Sequence, residues 1–401
     1  MTTAQPVTEE VDVMVVGAGP VGLFAALCAN DLGLSVALLD HVWRGYGRGH
    51  ATLLHSRALG LLERHGLRAL IHPESTRVDR LELHVDQALV RTIDLPEPAL
   101  AVSQLTLEKV LLAALRERGV EVRAPQEART FVQGKDAVNV HVMRRELVTL
   151  GSPAHYSEWE PVDFSKISAR FVIGADGYES RTREALGIEA IEVGALQSFA
   201  MFEVPNREPA SSTARLGLDG GLGDVRYPLP GQRTRFGFQL SEGLDLPPDA
   251  ARLRSLLSSR CPEVRLDDTG ELDVQWASVM HFERRLSRRF GRGRIWLAGD
   301  AAHVTSPLGN QSMNVGLFEA YDLTRRIADC LRSGESPSAL ERYGSERERE
   351  WHKLLGVNVS FELLPGAPSW LSAHARRLVP ALPASGPELS EILRELGLRL
   401  D

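Results

Sequence analysis

The amino-acid sequence predicts an α/β protein, in which a Rossmann-like nucleotide-binding domain carries an inserted, mainly antiparallel β-sheet and is followed by C-terminal helices. Three observations predict this fold. An apolar strand, a glycine-rich turn and an apolar helix open the chain, short alternating strands fill residues 197–285, and helical periodicity follows Asn314. A parallel sheet, an inserted sheet and packed helices account for all three.

The chain opens with a βαβ unit. Val11–Val16 is a β-branched apolar run typical of a central parallel strand, and it leads into the turn Gly17–Gly22. Apolar residues then recur at helical spacing until Gly33, a residue typical of a helix C-terminus. Ser35–Leu39 forms the next strand and ends at Asp40. One strand, one helix and a second strand therefore occupy about thirty residues.

Helices and strands alternate through the middle of the chain. The predicted elements are amphipathic helices over Leu53–Leu67 and Thr106–Arg118, and strands over Val120–Ala124, Val138–Val142 (as in an edge hairpin) and Phe171–Gly177. By contrast, Gly151–Lys166 is polar and aromatic without periodicity, so we expect a surface excursion there.

The second half of the chain supplies the inserted sheet and the terminal helices. In residues 197–285 the alternation places Phe236, Phe238 and Leu240 on one face of the sheet. The following segments are predicted to be helices over Val315–Leu331 and Ser336–Leu355, a Pro-rich connector over Pro365–Pro387, and a short last helix. The expected boundaries are 1–79, 100–190 and 286–345 for the nucleotide-binding domain, 80–99 and 191–285 for the substrate-binding sheet, and 346–401 for a C-terminal helical segment.

Composition and charge narrow the class of protein. The 401 residues are 43% hydrophobic and 25% charged, which is average for a globular protein. A net charge of −7 provides no basic surface, so neither nucleic acid nor an anionic membrane is expected as a partner. The three cysteines lie far apart in sequence, which predicts no disulfide framework and no metal site and indicates a reduced, cytoplasmic protein. The apolar run 13–29 is interrupted by glycine and proline and is shorter than the roughly 20 residues of a membrane span.

Two glycine-containing turns carry the strongest functional signals. Gly17, Gly19 and Gly22 have the spacing that allows a tight turn, close approach of a pyrophosphate, and packing of helix on strand, and Asp40 stands where a ribose hydroxyl would bind. The alternative is a glycine-rich turn beside a solvated aspartate, which the flanking strand and helix disfavour. The second turn, GDAAHVTSPLGNQSMN, places Asp300 after a predicted strand and before a helix. It can offer a carboxylate to a ribityl chain and N–H groups to a flavin ring.

Four ordered motifs over about the first 345 residues resemble the class A flavoprotein monooxygenases, the family typified by para-hydroxybenzoate hydroxylase. The turn GAGPVG resembles the segment that binds the ADP part of FAD, and Asp40 stands where that family usually has Glu. GRGHATLLHSRALGLLERHGL resembles the arginine-bearing helix, which implies that Arg48 or Arg57 reaches the FAD phosphates or ribose. Gln104 in VSQLTLEKVL matches the family's cofactor-contacting glutamine.

The other two motifs lie later in the chain. GADGYESRTR resembles the DG motif, which implies that Asp176 and Gly177 serve both FAD and NAD(P)H. Gly299–Asp300 resembles the GD motif, whose carboxylate binds the ribityl or ribose part of FAD. The residues implied beside the isoalloxazine ring are Pro307 and Gly309 in the loop, which is the candidate catalytic loop, and Asn314 at the start of the following helix.

The chain departs from the family pattern in that loop. Where the family reads P-x-G-G-Q-G-x-N, this chain has Asn310 and Ser312 in place of two glycines, and Ser312 brings a Cβ towards the flavin. Glu319 replaces a usual Asp. We interpret His303 as a structural hydrogen-bonding residue, and the basic run Arg284–Arg289 as a solvated face.

The resemblance implies an FAD-dependent monooxygenase that consumes NAD(P)H and O₂ and hydroxylates an aromatic or polyketide-like small molecule through a flavin 4a-hydroperoxide. Tyr227, Phe236 and Phe238 are candidate substrate-lining residues, and no general base can be assigned from spacing. A monomer or homodimer is expected. Two alternatives remain: a flavin-dependent reductase or dehydrogenase of a polyprenyl or quinone substrate, and a non-catalytic relative that binds flavin weakly.

Overall fold

The computed structural model describes residues 8–42, 53–150, 156–206, 212–241, 249–264 and 272–400. The strands are β1 Thr8–Val16, β2 Val36–Leu39, β3 Leu53–Leu54, β4 Thr76–Val85, β5 Ala88–Ala101, β6 Val122–Arg123, β7 Gln126–Gln133, β8 Val138–Leu150, β9 Tyr156–Gly174, β10 Ala190–Pro205, β11 Thr213–Asp219, β12 Leu222–Leu229, β13 Arg233–Leu240, β14 Trp276–Ser287, β15 Gly291–Arg292, β16 Ile295–Leu297, β17 His303–Val304, β18 Phe361–Leu363 and β19 Leu398–Leu400. The α-helices are α1 Pro20–Asp31, α2 Ser56–Arg64, α3 Arg68–Ile71, α4 Gln104–Glu117, α5 Arg181–Ala185, α6 Ala250–Arg260, α7 Gln311–Ser333, α8 Glu341–Leu355, α9 Ser369–Leu378 and α10 Gly386–Leu396.

The first sheet has the strand order β15-β16-β9-β1-β2-β6, with β7 and β8 attached through β9. β1 pairs in parallel with both β2 and β9, and β16 pairs in parallel with β9. Helix α1 packs against α4 and α7 on one side of this sheet, and its residues from Gly22 to Ala29 are all buried. A helix that is apolar all round is expected in such a position. The predicted Rossmann-like βαβ unit is therefore confirmed.

The second sheet has the order β17-β14-β10-β13-β12-β11-β4-β5-β3, and its pairs are antiparallel except for β4 with β11. The mainly antiparallel inserted sheet is thus confirmed. Its last strand, β17, belongs to the GD loop. Backbone pairing of Leu286 with His303 therefore joins the inserted sheet to the nucleotide-binding part of the chain.

Residues 156–166 differ from the prediction of a surface excursion. They form the first half of β9, which pairs with the whole of β8. Val138–Val142 lies in β8, which forms an antiparallel hairpin with the edge strand β7, so the predicted edge hairpin is confirmed. This ribbon is solvated on both faces, with Phe164 and Trp159 65% and 47% exposed. Residues that face water on both sides need no alternation of polar and apolar side chains, so this strand shows no pattern of period two.

The C-terminal segment also contains more structure than predicted. Helix α9 lies inside the expected Pro-rich connector. Pro368 directly precedes the helix and Pro380 follows it, so the prolines flank the helix instead of breaking it. Among the described residues, no helix is both long and apolar enough to cross a membrane.

Candidate functional site

The turn between β1 and α1 requires glycine at two positions. Gly17 has φ of +103°, and a Cβ there would lie 2.2 Å from the Ala175 carbonyl oxygen. A Cβ on Gly22 would lie 1.9 Å from the Gly17 carbonyl oxygen, so helix and turn approach each other only without a side chain. Gly19 precedes α1 and provides no side-chain cap. Backbone N–H groups at this helix N-terminus are therefore open to an anion.

Asp40, which follows β2, is buried and holds the same turn. Its Oδ2 accepts a hydrogen bond from the Ala18 N–H at 2.7 Å, and its Oδ1 accepts one from the Val42 N–H at 3.0 Å. These hydrogen bonds fix the backbone of the glycine turn, and the role of Asp40 as a ribose contact stays a prediction.

Asp300 lies in the 3₁₀ turn Gly299–Ala301 after β16, and its side chain is exposed. The Ser312 hydroxyl donates a hydrogen bond to Asp300 Oδ1 at 2.8 Å. The hydroxyl that replaces the family's glycine therefore orients the predicted ribityl-binding carboxylate.

The loop before α7 is held from two directions. Asn310 adopts φ of +48°, a left-handed conformation that Asn tolerates and that explains how it replaces glycine here. The Asn314 side chain donates to the carbonyl oxygens of Asn310 at 2.7 Å and Leu53 at 2.8 Å. From the inserted sheet, the Tyr227 hydroxyl donates to the Leu308 carbonyl oxygen at 2.5 Å. Burial raises the pKa of Tyr227, so this hydroxyl stays protonated as a donor.

A fully buried contact between Glu319 and His303 supports the GD turn from beneath. The Glu319 carboxylate accepts hydrogen bonds at 2.8 Å from His303 Nε2, the Gly299 N–H and Trp351 Nε1. The His303 ring also stacks on Trp351, with 3.7 Å between centroids. Burial alone would raise the pKa of Glu319, but the His303 charge and the three donors bring it below its ordinary value. His303 therefore acts as a structural residue, as its sequence position indicates.

The DG segment is tied to the GD turn. Asp176 accepts hydrogen bonds from the Ser180 hydroxyl at 2.5 Å and the Thr182 N–H at 2.9 Å, so it also caps the start of α5. Arg183 is buried, and its Nη1 donates to the Ala301 carbonyl oxygen at 2.9 Å. Arg183, which follows the DG motif, thus holds the Gly299–Ala301 turn that carries Asp300.

Three of the four motif segments interlock. Gly17 packs on Ala175, two residues before Gly177, which itself has φ of +81°. A Cβ on Gly299 would lie 3.0 Å from the Val21 side chain of α1. Together with the arginine bond just described, these contacts bring the GAGPVG, DG and GD segments to one edge of the parallel sheet, where its strands end. Ligands of open α/β sheets bind at this edge.

Arg57 is the described candidate of the arginine-bearing motif. Its Nη1 donates to Glu350 Oε1 at 2.6 Å, and its guanidinium carbon lies 3.4 Å from the Phe318 ring centroid. These two partners direct the side chain to α7 and α8, so its role as an FAD contact stays a prediction. The other candidate in that motif, Arg48, lies outside the described residues.

Gln104 is the first residue of α4, after the N-cap Ser103. Its Nε2 donates to Glu108 Oε1, one helical turn later, at 2.8 Å. The side chain is half-buried and is satisfied within its own helix, so its role as a cofactor contact stays a prediction.

The three predicted substrate-lining residues lie on opposite faces of the inserted sheet. Tyr227 faces the loop before α7 and pairs across strands with Arg235. Phe236 is the next residue, so it and Phe238 face the other way. Both are fully buried against Phe202 and helix α6. The prediction that Phe236 and Phe238 line a substrate cavity is therefore wrong, because they form the core beneath α6.

The basic run before β15 is solvated only in part. Arg288 is exposed and forms a surface ion pair, as predicted for a solvated face. Arg284, in contrast, is half-buried and its Nη2 donates to the Leu355 carbonyl oxygen at 2.7 Å. Arg285 lies over Tyr178, 4.8 Å from the ring centroid. The solvated-face prediction is wrong for these two, since each packs on a neighbouring element.

The C-terminal segment contributes to the site in a way that the sequence does not predict. The Gln311 Nε2 donates to the carbonyl oxygens of Val379 at 3.4 Å and Leu382 at 3.2 Å. A Cβ on Gly309 would lie 2.7 Å from the Pro380 carbonyl oxygen. Residues 379–384 therefore form the back wall of the loop before α7. Contacts over such sequence separations leave no local pattern.

The residues present fit FAD. Helices α1 and α7 both begin without a side-chain cap, at Gly19 and Asn310, and such ends bind phosphate or the polar edge of a ring. The Asp300 carboxylate is exposed at the same sheet edge, and side chains at Gly17 and Gly22 would clash with the backbone and disrupt the turn. Among the described residues, no cluster of His, Cys, Asp or Glu could hold a metal ion.

Comparison with known proteins agrees with this geometry. Residues 10–356 match the family model of the FAD binding domain. Pentachlorophenol 4-monooxygenase of Sphingobium chlorophenolicum is 26% identical over 91% of this chain and 70% of its own. A 12-dehydrotetracycline 5-monooxygenase/anhydrotetracycline 6-monooxygenase of Streptomyces rimosus is 26% identical over 84% of this chain and 66% of its own. The chain thus spans about two thirds of the length of the curated relatives that it matches.

Solved structures show the same fold. The crystal structure of p-nitrophenol 4-monooxygenase from Pseudomonas putida DLL-E4 superposes with a TM-score of 0.72 at 19% identity, covering 97% of this chain and 95% of that one. A complex of aklavinone-11 hydroxylase with FAD and aklavinone gives a TM-score of 0.63 at 22% identity, over 86% and 66% of the two chains. The α/β architecture with its inserted sheet is therefore shared with these proteins.

Proposed function

The chain belongs to the FAD binding domain family, and from this premise we propose that it is an FAD-dependent monooxygenase that hydroxylates an aromatic or polyketide-like small molecule. The observation that carries the proposal is the interlocking of the GAGPVG, DG and GD segments at one sheet edge. The relatives named as monooxygenases of chlorinated phenols and of tetracycline intermediates support the aromatic substrate class.

We propose which residues contact each part of FAD. The N–H groups of the Gly17–Gly22 turn would bind the pyrophosphate of FAD, Asp40 the adenosine ribose, and Asp300 the ribityl chain. The loop Pro307–Asn310 and Asn314 would lie beside the isoalloxazine ring. When bound, FAD would take a hydride from NAD(P)H and, once reduced, activate O₂. NAD(P)H is proposed as a transient co-substrate, since the sequence has only one G-x-G-x-x-G turn of this kind.

The protein itself would orient and shield the substrate. The sheet face that carries Tyr227 also carries Phe199, Met201 and Val225, which are buried. This face, on the opposite side from Phe236, is the proposed substrate wall next to the loop before α7. Its apolar residues would exclude water from the oxygen chemistry. The three cysteines are buried and unpaired, which fits a reducing compartment such as the cytoplasm.

The test is oxygen-dependent turnover. Protein loaded with FAD is supplied with NADH or NADPH and a panel of phenols and aromatic polyketides, while NAD(P)H oxidation and peroxide release are measured. We expect one substrate class to accelerate oxidation and suppress peroxide, with no turnover under anaerobic conditions. Anaerobic turnover of a quinone would instead identify a reductase, and protein that stays colourless after FAD addition would identify a non-catalytic relative.

A further inference from the structure

A narrow cleft lies between the inserted sheet, the loop before α7 and the C-terminal segment. Its polar lining residues are Gln197, Gln239, Arg284, Ser306 and Arg377, and Leu308 closes one side. The cleft encloses about 50 Å³, which is the space of one or two water molecules at about 30 Å³ each. It can therefore hold one polar end of a ligand. We call it the arginine cleft.

Two guanidinium groups from different parts of the chain enter the arginine cleft. Arg284 comes from β14 and Arg377 from α9, and both are half-buried. Each donates one hydrogen bond to a backbone carbonyl oxygen at 2.7 Å, Arg284 to Leu355 and Arg377 to Leu222. A guanidinium has five N–H donors, so most donors of both groups remain for another partner.

In the described part of the chain, both guanidinium groups donate to backbone carbonyl oxygens and neither forms an ion pair with a carboxylate. Burial lowers the pKa of both groups, and Asp219 and Asp86 oppose this for Arg377 only through longer-range attraction, while Arg260 adds to it. Among the described residues, the buried Arg215 is paired with Asp224, whereas the buried Arg183 donates to backbone carbonyl oxygens. Two half-buried cations without a counter-charge are costly unless an anion joins them.

A further lining atom defines the ligand more closely. The Gln197 side-chain oxygen is buried without a hydrogen-bond partner in the described chain. It is an acceptor, so it suits a ligand hydroxyl. On the far side, the Gln239 side-chain oxygen accepts from the Gly223 N–H at 2.8 Å and shapes the cleft floor. The lining thus presents two cations and one vacant acceptor next to the proposed flavin loop.

We propose that the arginine cleft is the subsite for an ionised oxygen of the substrate, a carboxylate or a phenolate with a neighbouring hydroxyl, bound by Arg284 and Arg377. The inference rests on the proposed function and names its substrate class. Arg377 lies in the segment after residue 356, beyond the part of the chain that matches the family model. The selectivity for an acidic substrate would thus be supplied in part by the C-terminal segment.

The test compares aromatic acids with their neutral amides. Salicylate and salicylamide, and 2-hydroxy-1-naphthoate and its amide, are titrated into FAD-loaded protein, and binding is followed by the flavin absorbance change and by calorimetry. We expect at least one acid to bind ten-fold or more tightly than its amide. Arg377→Met should abolish this preference by weakening the acid while leaving the amide unchanged, and Arg377→Lys should restore part of it.

The matched control is Arg376→Met, an exposed neighbour on the same helix, which should keep the preference. Arg284→Met provides a second test if Arg377→Met unfolds. The proposal is overturned if no acid in either pair outbinds its amide, or if both arginine variants retain the wild-type preference. Flavin retention and oxygen-dependent NAD(P)H oxidation, measured on the same preparations, report on the proposed function separately, since they do not require an acidic ligand.

Discussion

Glu319→Gln tests the support beneath the GD turn. The substitution keeps the shape of the side chain but leaves one acceptor oxygen for three buried donors. If the amide oxygen faces His303 and Gly299, the Trp351 indole N–H meets an NH₂ group and loses its partner. If it faces Trp351, the other two donors lose theirs. Every orientation leaves at least one N–H unsatisfied in a site with no exposure to solvent.

The cost follows from those hydrogen bonds. An orphaned buried donor costs about 1–3 kcal/mol, and each bond that changes from a charged to a neutral acceptor loses roughly 1 kcal/mol, so the total is about 3 kcal/mol. With an unfolding entropy of about 2.1 cal/mol/K per residue, a 3 kcal/mol loss lowers the melting temperature of a chain of this length by roughly 4 °C if it unfolds as one unit. Glu346→Gln, in partly exposed ion pairs with Arg326 and Arg342, should cost less than about 1 kcal/mol.

The difference in melting temperature between wild type and Glu319→Gln should also depend on pH. Since the folded pKa of Glu319 lies below the ordinary glutamate value of 4.5, the carboxylate stabilises the fold fully above that value. The stabilisation is lost as the pH falls through the folded pKa. The gap between wild type and Glu319→Gln in thermal unfolding should therefore be largest near pH 7 and shrink below pH 4.5. Equal melting temperatures at pH 7, or a gap that widens in acid, would refute the reasoning.

Three further predictions concern the cofactor site. Asp300→Ala should weaken FAD binding by roughly 30- to 150-fold, since one charged hydrogen bond is worth about 2–3 kcal/mol; an unchanged dissociation constant in fluorescence titration would contradict its role. Gly22→Ala should abolish FAD binding, because its Cβ would lie 1.9 Å from a carbonyl oxygen. The control Gly60→Ala, on helix α2 with nothing within 4 Å of the added Cβ, should keep FAD and raise the free energy of unfolding by about 0.5–1 kcal/mol. Similar FAD affinity in both variants would count against the clash. Gly309→Ala should loosen the C-terminal segment, because its Cβ would press on the Pro380 carbonyl at 2.7 Å; hydrogen exchange over 379–384 should rise, and unaltered protection would exclude this contact as a support.

Local signals account for what the sequence predicted correctly. The βαβ unit and its glycine turn are encoded within about thirty consecutive residues, and the strands of the inserted sheet alternate visibly. The conformations of Gly17 and Gly22 are required by atoms of the turn and of the adjoining β9 end. Such features can be recognised because each glycine has a steric task that no other residue performs.

Other features depend on partners distant in sequence. Arg57 fits a phosphate-binding helix by position, yet it pairs with Glu350, almost three hundred residues later. Alternation placed Phe236 and Phe238 on one face, but it could not say which face meets the site, because both faces of β13 are covered. The Gln311 side chain donates to backbone carbonyl oxygens, and such acceptors leave no residue-specific pattern in the sequence. These outcomes required the tertiary structure.

The short strand β17 has a mechanical consequence. It is at once the exit from the GD turn and the border strand of the inserted sheet, joined to β14 by backbone pairing and by the Ser287 N–H bond to the Ala302 carbonyl oxygen. A substrate that displaces the inserted sheet would therefore also displace, through these backbone hydrogen bonds, the turn that is proposed to hold the flavin. Substrate binding should then change the absorbance spectrum of the bound flavin.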